Sequence, residues 1–165
     1  MGRHHPALGS EGGVMKRWLR KSPVQTFLLV PLATITWELA VFGALRFEPL
    51  FLPLMLWGYL QYRLCGRYRI ALGGGGPGLS GAPPDRLVDG GIYAWTRNPM
   101  YLGHIIYMIG VALTFQSLLA AVIAVARTVW FHFRVLGDEK NLVARFGEPY
   151  VAYTRRVKRW LPGLF

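Results

Sequence analysis

The sequence predicts an all-α protein: an integral membrane helical bundle of about four transmembrane helices, with short amphipathic helices at its C-terminal end. Three observations carry this. Of 165 residues, 53% are hydrophobic and 16% are charged, whereas a soluble domain averages about 25% charged. The apolar residues gather into four runs. Of 19 Lys and Arg, 17 fall in three blocks at or beyond the same ends of those runs, Arg46 stands alone at the other side, and Arg127 lies within run four. A net charge of +11 on a soluble chain would suggest nucleic acid. Arranged in blocks between apolar runs it points to a membrane surface, and no nucleic-acid partner is expected. The single cysteine, Cys65, excludes an internal disulfide framework and a cysteine-rich zinc site.

Residues 1–22 read as a polar, basic tail with Arg3, Lys16, Arg17, Arg20 and Lys21. The apolar run that follows is too long for a signal peptide and has no small-residue cleavage site. Run one is Gln25 to Leu45, broken by Glu38, and run two is about Leu50 to Leu64. Run three starts after Pro99 and reaches about Phe115; run four is Leu118 to about Val135. A span needs about 20 residues, so runs two to four need flanking residues or a thin bilayer. Runs three and four form a hairpin across Gln116-Ser117. Residues 73–84, GGGGPGLSGAPP, cannot hold a helix and read as a linker within a domain over 23–165. They lack the Gly-Lys-Ser/Thr ending of a phosphate loop. Leu142, Phe146, Tyr150, Tyr153 and Val157 continue one helical face. Gly147-Glu148-Pro149 divides this last stretch into two short helices. Their basic residues also suit an interfacial anchor. The charge asymmetry places both termini and the 65–98 segment in the cytoplasm of a multi-pass protein.

Charged residues within spans need a reason. Glu38 and Arg127 read as an inward-facing ion pair, or Glu38 as the lining of a polar cavity. His104 and His132 lie about one turn from the cytosolic edge and read as packed residues; no metal site is expected.

Two clusters carry chemistry. The first is Leu87-Val88-Asp89-Gly90-Gly91-Ile92-Tyr93-Ala94-Trp95-Thr96-Arg97-Asn98-Pro99-Met100-Tyr101-Leu102-Gly103. It enters run three from the cytosol, where Pro99 suits a first helical turn and the helix dipole favours an anion. The second runs Arg134, Asp138, Glu139, Leu142, Phe146, Gly147, Tyr150, Tyr153. In a continuous helix Arg134 and Asp138 share a face, which would also suit a structural ion pair.

Together the clusters resemble the isoprenylcysteine carboxyl methyltransferases and the related phospholipid methyltransferases, integral membrane enzymes that use S-adenosylmethionine. The resemblance rests on Leu87, Val88, Gly91, Tyr93, Arg97, Pro99, Tyr101 and Gly103. It continues through Arg134, Glu139, Leu142, Phe146, Gly147, Tyr150, Tyr153, Arg159 and Pro162, covering residues 86–162. Asn98 stands where the eukaryotic enzymes have His, and Asp138 replaces the first Glu of the pattern.

The resemblance implies a cofactor, S-adenosyl-L-methionine, held by Arg86, Leu87, Val88, Tyr93, Asn98, Pro99, Met100, Tyr101 and Asp138. It implies catalytic roles for Arg134, Arg97 and Glu139. Arg134 would position the acceptor, Arg97 would hold the methionine carboxylate, and Glu139 would orient Arg97 or the nucleophile. The acceptor is expected to be a lipophilic small molecule or lipid entering from the bilayer, and the location a prokaryotic inner membrane. A phospholipid amine, a small thiol or another hydrophobic metabolite are alternative acceptors. Two other classes share the architecture: a nicotinamide-dependent membrane reductase, and a non-enzymatic subunit assembled through Glu38 and Arg127.

Overall fold

A computed structural model describes residues 21–76 and 83–161. The basic tail up to Arg20, the centre of the 73–84 linker and Pro162 lie outside the described residues. Among the described residues five helices follow in chain order: α1 (Ser22–Phe42), α2 (Leu52–Gly73), α3 (Pro99–Thr114), α4 (Leu118–Phe146) and α5 (Glu148–Arg156). No strand forms among the described residues.

Helix α1 carries a π-helical stretch over Gln25–Leu29, just before Pro31. Proline has no N–H, so the carbonyl four residues earlier loses its usual donor. That carbonyl, of Phe27, instead accepts from the Tyr107 hydroxyl on α3 at 3.4 Å. The helix ends at Gly43, whose φ of 67° is left-handed.

Helix α2 starts after a 3-10 turn at Pro49–Phe51 and continues to Gly73, past the end of its apolar run at Leu64. Arg63, Arg67 and Arg69 are therefore helical residues and not part of a loop. Hydropathy marks where a helix leaves apolar surroundings; the backbone bonds continue until Gly73-Gly74 removes helical preference.

Helices α2 and α3 touch backbone to backbone. A Cβ at Gly58 would lie 2.5 Å from Tyr107 N and 2.6 Å from Gly103 O. Such close approach is available only to glycine, and it fixes the α2–α3 crossing point.

Helix α4 is the largest departure from the sequence reading. It runs unbroken for 29 residues, about 44 Å at 1.5 Å per residue. Its last turns absorb the first of the two short C-terminal helices that the sequence suggested, so α5 stands alone. The break comes at Gly147, with φ 60°.

Among the described residues two helices, Ser22–Phe42 and Leu118–Phe146, are long and apolar enough to cross a membrane; α3 is apolar but shorter. The main core joins Val30, Tyr107, Met108, Val111, Phe115, Ala120, Ala124 and Phe131. A smaller cluster of Tyr150, Tyr153 and Val157 packs with Leu87, Leu142 and Phe146. Broad apolar faces stay uncovered, with Leu118, Phe133 and Val125 among the most exposed side chains. Such faces match a lipid environment and not water.

The Glu38–Arg127 ion pair does not form. Glu38 is buried and accepts from Ser117 Oγ at 2.6 Å. Ser117 also caps α4, accepting from Ala120 N. The carboxylate thus sits at the positive end of α4's dipole, which compensates it without a cation. Arg127 lies farther along α4, on a different part of the bundle.

Candidate active site

Where α2, α3 and α4 converge under α5, they enclose a cavity of about 850 Å³. Every residue that the sequence singled out for the site lines it: Arg86, Leu87, Val88, Tyr93, Arg97, Asn98, Pro99, Met100, Tyr101, Arg134, Asp138 and Glu139. The two clusters, separate in sequence, are brought to one wall because the α3–α4 hairpin places Tyr101 beside Asp138.

Three polar arrangements organise that wall. In the first, the Tyr101 hydroxyl donates to Asp138 Oδ2 at 2.8 Å and accepts from Arg134 Nε at 3.0 Å. One phenol so bridges the two charged groups of the α4 motif. In the second, Glu139 is shared by two arginines. Arg159 binds it through Nε and NH2, with NH2 to Oε2 at 2.8 Å, and Arg97 NH2 approaches Oε1 to 3.0 Å. Arg97 also donates through NH1 to the carbonyls of Thr154 and Val157, at 2.9 and 3.2 Å. Its fork is thereby committed to the C-terminal end of α5. In the third, the Asn98 amide donates to the Arg159 carbonyl at 3.2 Å, which also accepts from Thr96. Asparagine at this position thus supplies a neutral donor that ties the start of α3 to the segment after α5.

The rim is built by the segment before α3. Gly91, with φ 59°, brings its backbone against Tyr68, where a Cβ would lie 2.6 Å from the hydroxyl. The turn swings Tyr93 inward, and its carbonyl accepts from the Tyr153 hydroxyl at 2.7 Å. Burial pushes the phenols of Tyr93, Tyr150 and Tyr153 well above their ordinary range. They stay protonated at neutral pH and act as donors and aromatic surfaces, not as bases. The hydrogen bond to Glu139 raises Arg159 further.

The cavity has further walls that sequence reasoning did not place there. Tyr62 and Arg69 reach it from α2, His104 from α3, and Arg127 with Trp130 from α4. His104 is buried as expected, stacked on Phe27 at 4.9 Å between ring centres, yet it also borders the cavity. His132 accepts at Nδ1 from Trp160 Nε1 at 3.4 Å. A helical-face reading would have found part of this set, since Arg127, Trp130 and Arg134 are three and four residues apart. Tyr62 and Arg69 share a face of α2 but belong to no motif.

Comparison with known proteins points the same way. Residues 78–148 match the phospholipid methyltransferase family. Protein-S-isoprenylcysteine O-methyltransferase of Mus musculus is 38% identical over 78 residues, covering 46% of this chain and 27% of that protein. The Saccharomyces cerevisiae protein of the same name is 35% identical over 78 residues, 46% of this chain and 32% of its own length. Protein-S-isoprenylcysteine O-methyltransferase B of Arabidopsis thaliana is 35% identical over 79 residues, 47% of this chain and 40% of its own. The chain thus spans well under half the length of these relatives. The matched stretch holds both the Arg-Asn-Pro-Met-Tyr turn and the Arg134–Glu139 segment, which bond to each other on one wall of the cavity. Residues 78–148 are thus similar to the phospholipid methyltransferase family and to the proteins named protein-S-isoprenylcysteine O-methyltransferase.

Proposed function

We propose that the chain is a membrane-embedded, S-adenosylmethionine-dependent methyltransferase acting on a lipophilic acceptor of the isoprenylcysteine type. The single observation that carries this reading is the Arg134–Tyr101–Asp138 chain of hydrogen bonds within one cavity. It links a group suited to an acceptor with one suited to a cofactor.

The cavity's chemistry fits the cofactor. Its volume of about 850 Å³ lies within the range of small-molecule sites, roughly 300–1,000 Å³. Asp138 Oδ1 accepts no hydrogen bond among the described residues, so it remains for a ribose hydroxyl or an amino group. Arg69 is buried and its NH1 has no partner among the described residues, which suits a carboxylate. Arg86, Leu87, Val88, Tyr93, Asn98, Pro99, Met100 and Tyr101 would complete the enclosure. When bound, the cofactor supplies a methyl group on a positively charged sulfur, already activated for displacement.

The residues then have positioning to do and little proton chemistry. Arg134 uses Nε on Tyr101, leaving NH1 and NH2 without protein partners among the described residues. That free edge of the guanidinium can hold an acceptor carboxylate. Tyr101 sets the Arg134–Asp138 spacing, and so the spacing of the two reactants, on which displacement rates depend steeply. Arg97 and Glu139 hold α5 down over the cavity, where Tyr150 and Tyr153 exclude water. The reading further has both chain ends and the 73–84 linker on the cytosolic side of a four-span bundle, with α5 as a cover.

Calorimetry and radiolabelled transfer test this. S-adenosylmethionine should bind the purified protein in neutral detergent. Asp138→Asn, nearly isosteric, should weaken binding about ten-fold or more, as loss of a charge-assisted hydrogen bond costs roughly 1.5–3 kcal/mol. Label should pass to a prenylated thioether carboxylate. A wild-type protein that binds no S-adenosylmethionine would remove the reading.

A further inference from the structure

Arg127 lies about 14 Å along α4 from Leu118, at 1.5 Å per residue, near the middle of a hydrocarbon core about 30 Å thick. A guanidinium at that depth needs a partner. Among the described residues no carboxylate serves: Glu38 is held by Ser117, Asp138 by Tyr101, and Glu139 by Arg97 and Arg159. Its Nε and NH2 are buried and donate to nothing among the described residues. The guanidinium stacks on rings of its own helix one turn on. It lies 4.6 Å over the Trp130 ring and 5.0 Å over Phe131, facing the cavity.

Two further groups converge there. Arg134, two turns on along the same face, has its guanidinium carbon 5.3 Å from the centre of the same Trp130 ring. His104, 3% exposed, lines the same space with a buried Nδ1 that has no partner among the described residues. Two cations on one indole repel each other, and the low-dielectric surroundings magnify the repulsion. That wall carries two guanidiniums, and among the described residues no carboxylate pairs with Arg127.

We propose that the inner end of the cavity, between Arg127, Trp130 and Arg134, binds the anionic head of an amphiphile, a carboxylate or a phosphate. The tail runs along the apolar helix faces in the bilayer. The proposal rests on reading the cavity as the acceptor's chamber, and it adds Arg127 to the groups that hold the acceptor's anion. A protonated amine, as on a phospholipid headgroup, would meet two guanidiniums. Arg127 is a binding and positioning group here, two turns deeper than the residue that the motif marks.

The test needs no methyl donor, so it stands or falls apart from the methyltransferase reading. Wild-type protein in neutral phosphatidylcholine nanodiscs is titrated with hexadecanoate, hexadecyl phosphate, methyl hexadecanoate, hexadecylamine and inorganic phosphate. Tryptophan fluorescence and the thermal midpoint are followed. Hexadecanoate or hexadecyl phosphate should bind saturably and raise the midpoint, whereas the ester and the amine should do neither. Arg127→Gln should weaken the anionic amphiphile about ten-fold or more; Arg127→Lys, which keeps the charge, should lose less. Equal binding of ester and anion overturns the proposal, as does wild-type affinity in Arg127→Gln. Saturable binding of inorganic phosphate without the amphiphiles would assign the site to a free anion and overturn the lipid-borne one. If Arg127→Gln does not fold, the wild-type comparison of anion with ester still decides.

Discussion

Glu139 accepts from two guanidiniums while only 13% exposed, and Arg97, at 8%, is buried more deeply still. Removing the charge of one partner in such a set leaves the others desolvated without compensation. The cost is about 3 kcal/mol or more. Glu139→Gln should therefore lower the stability of the protein in detergent by about 3 kcal/mol, read as a shift in the midpoint of chemical unfolding. A variant as stable as wild type would show that the pairs contribute nothing net. The same geometry recasts Arg97. Its NH1 and NH2 reach Thr154, Val157 and Glu139, so its effect on a ligand passes through α5.

Among the elements, the α2–α3 contact and the length of α4 place the cavity. Gly58 and Gly103 let the two backbones meet, and a side chain at Gly58 has only backbone atoms to displace. Gly58→Val should destabilise by about 3 kcal/mol, the upper end of ordinary overpacking. It should also disturb the site, because α2 carries Tyr62 and Arg69. Gly137 is the contrasting glycine of α4: a methyl group added there would meet nothing within 4 Å. Gly137→Ala should stabilise by about 1 kcal/mol through helix propensity alone. Unfolding midpoints of the two variants, measured together, check both directions. The unbroken α4 matters for the same reason: it carries Arg127, Trp130, Arg134 and Asp138 on one rod, so their spacing is set by helical rise.

For the whole molecule, the charge pattern predicts an orientation. Of 19 Lys and Arg, only Arg46 falls in the α1–α2 connection. The tail, the 63–97 segment and the region from Arg134 onward hold the rest, apart from Arg127. Reporter fusions after Lys21, Gly78 and Phe165 should all report the cytoplasm. A fusion at Gly78 reading the opposite side would defeat the four-span arrangement, and with it a cofactor cavity open to the cytosol.

Much of this was legible in the residues alone: the helical class, the starts of α3 and α4 at Pro99 and Leu118, the break at Gly147, and the residues that line one side of the cavity. These are local matters, since apolar runs, prolines, glycines and short motifs carry their meaning within a few residues. The linear pattern did not reveal that α2 continues to Gly73 or that α4 absorbs the next helix, because backbone hydrogen bonding outlasts the apolar pattern. Nor did it pair the charges. Glu38 and Arg127 were the obvious partners by composition, yet Ser117 and the dipole of α4 satisfy one, and the cavity receives the other. Which groups meet across helices depends on rotation and crossing distance, here set by Gly58 against Gly103. Those are properties of packed surfaces, and they come into being only when the helices are assembled.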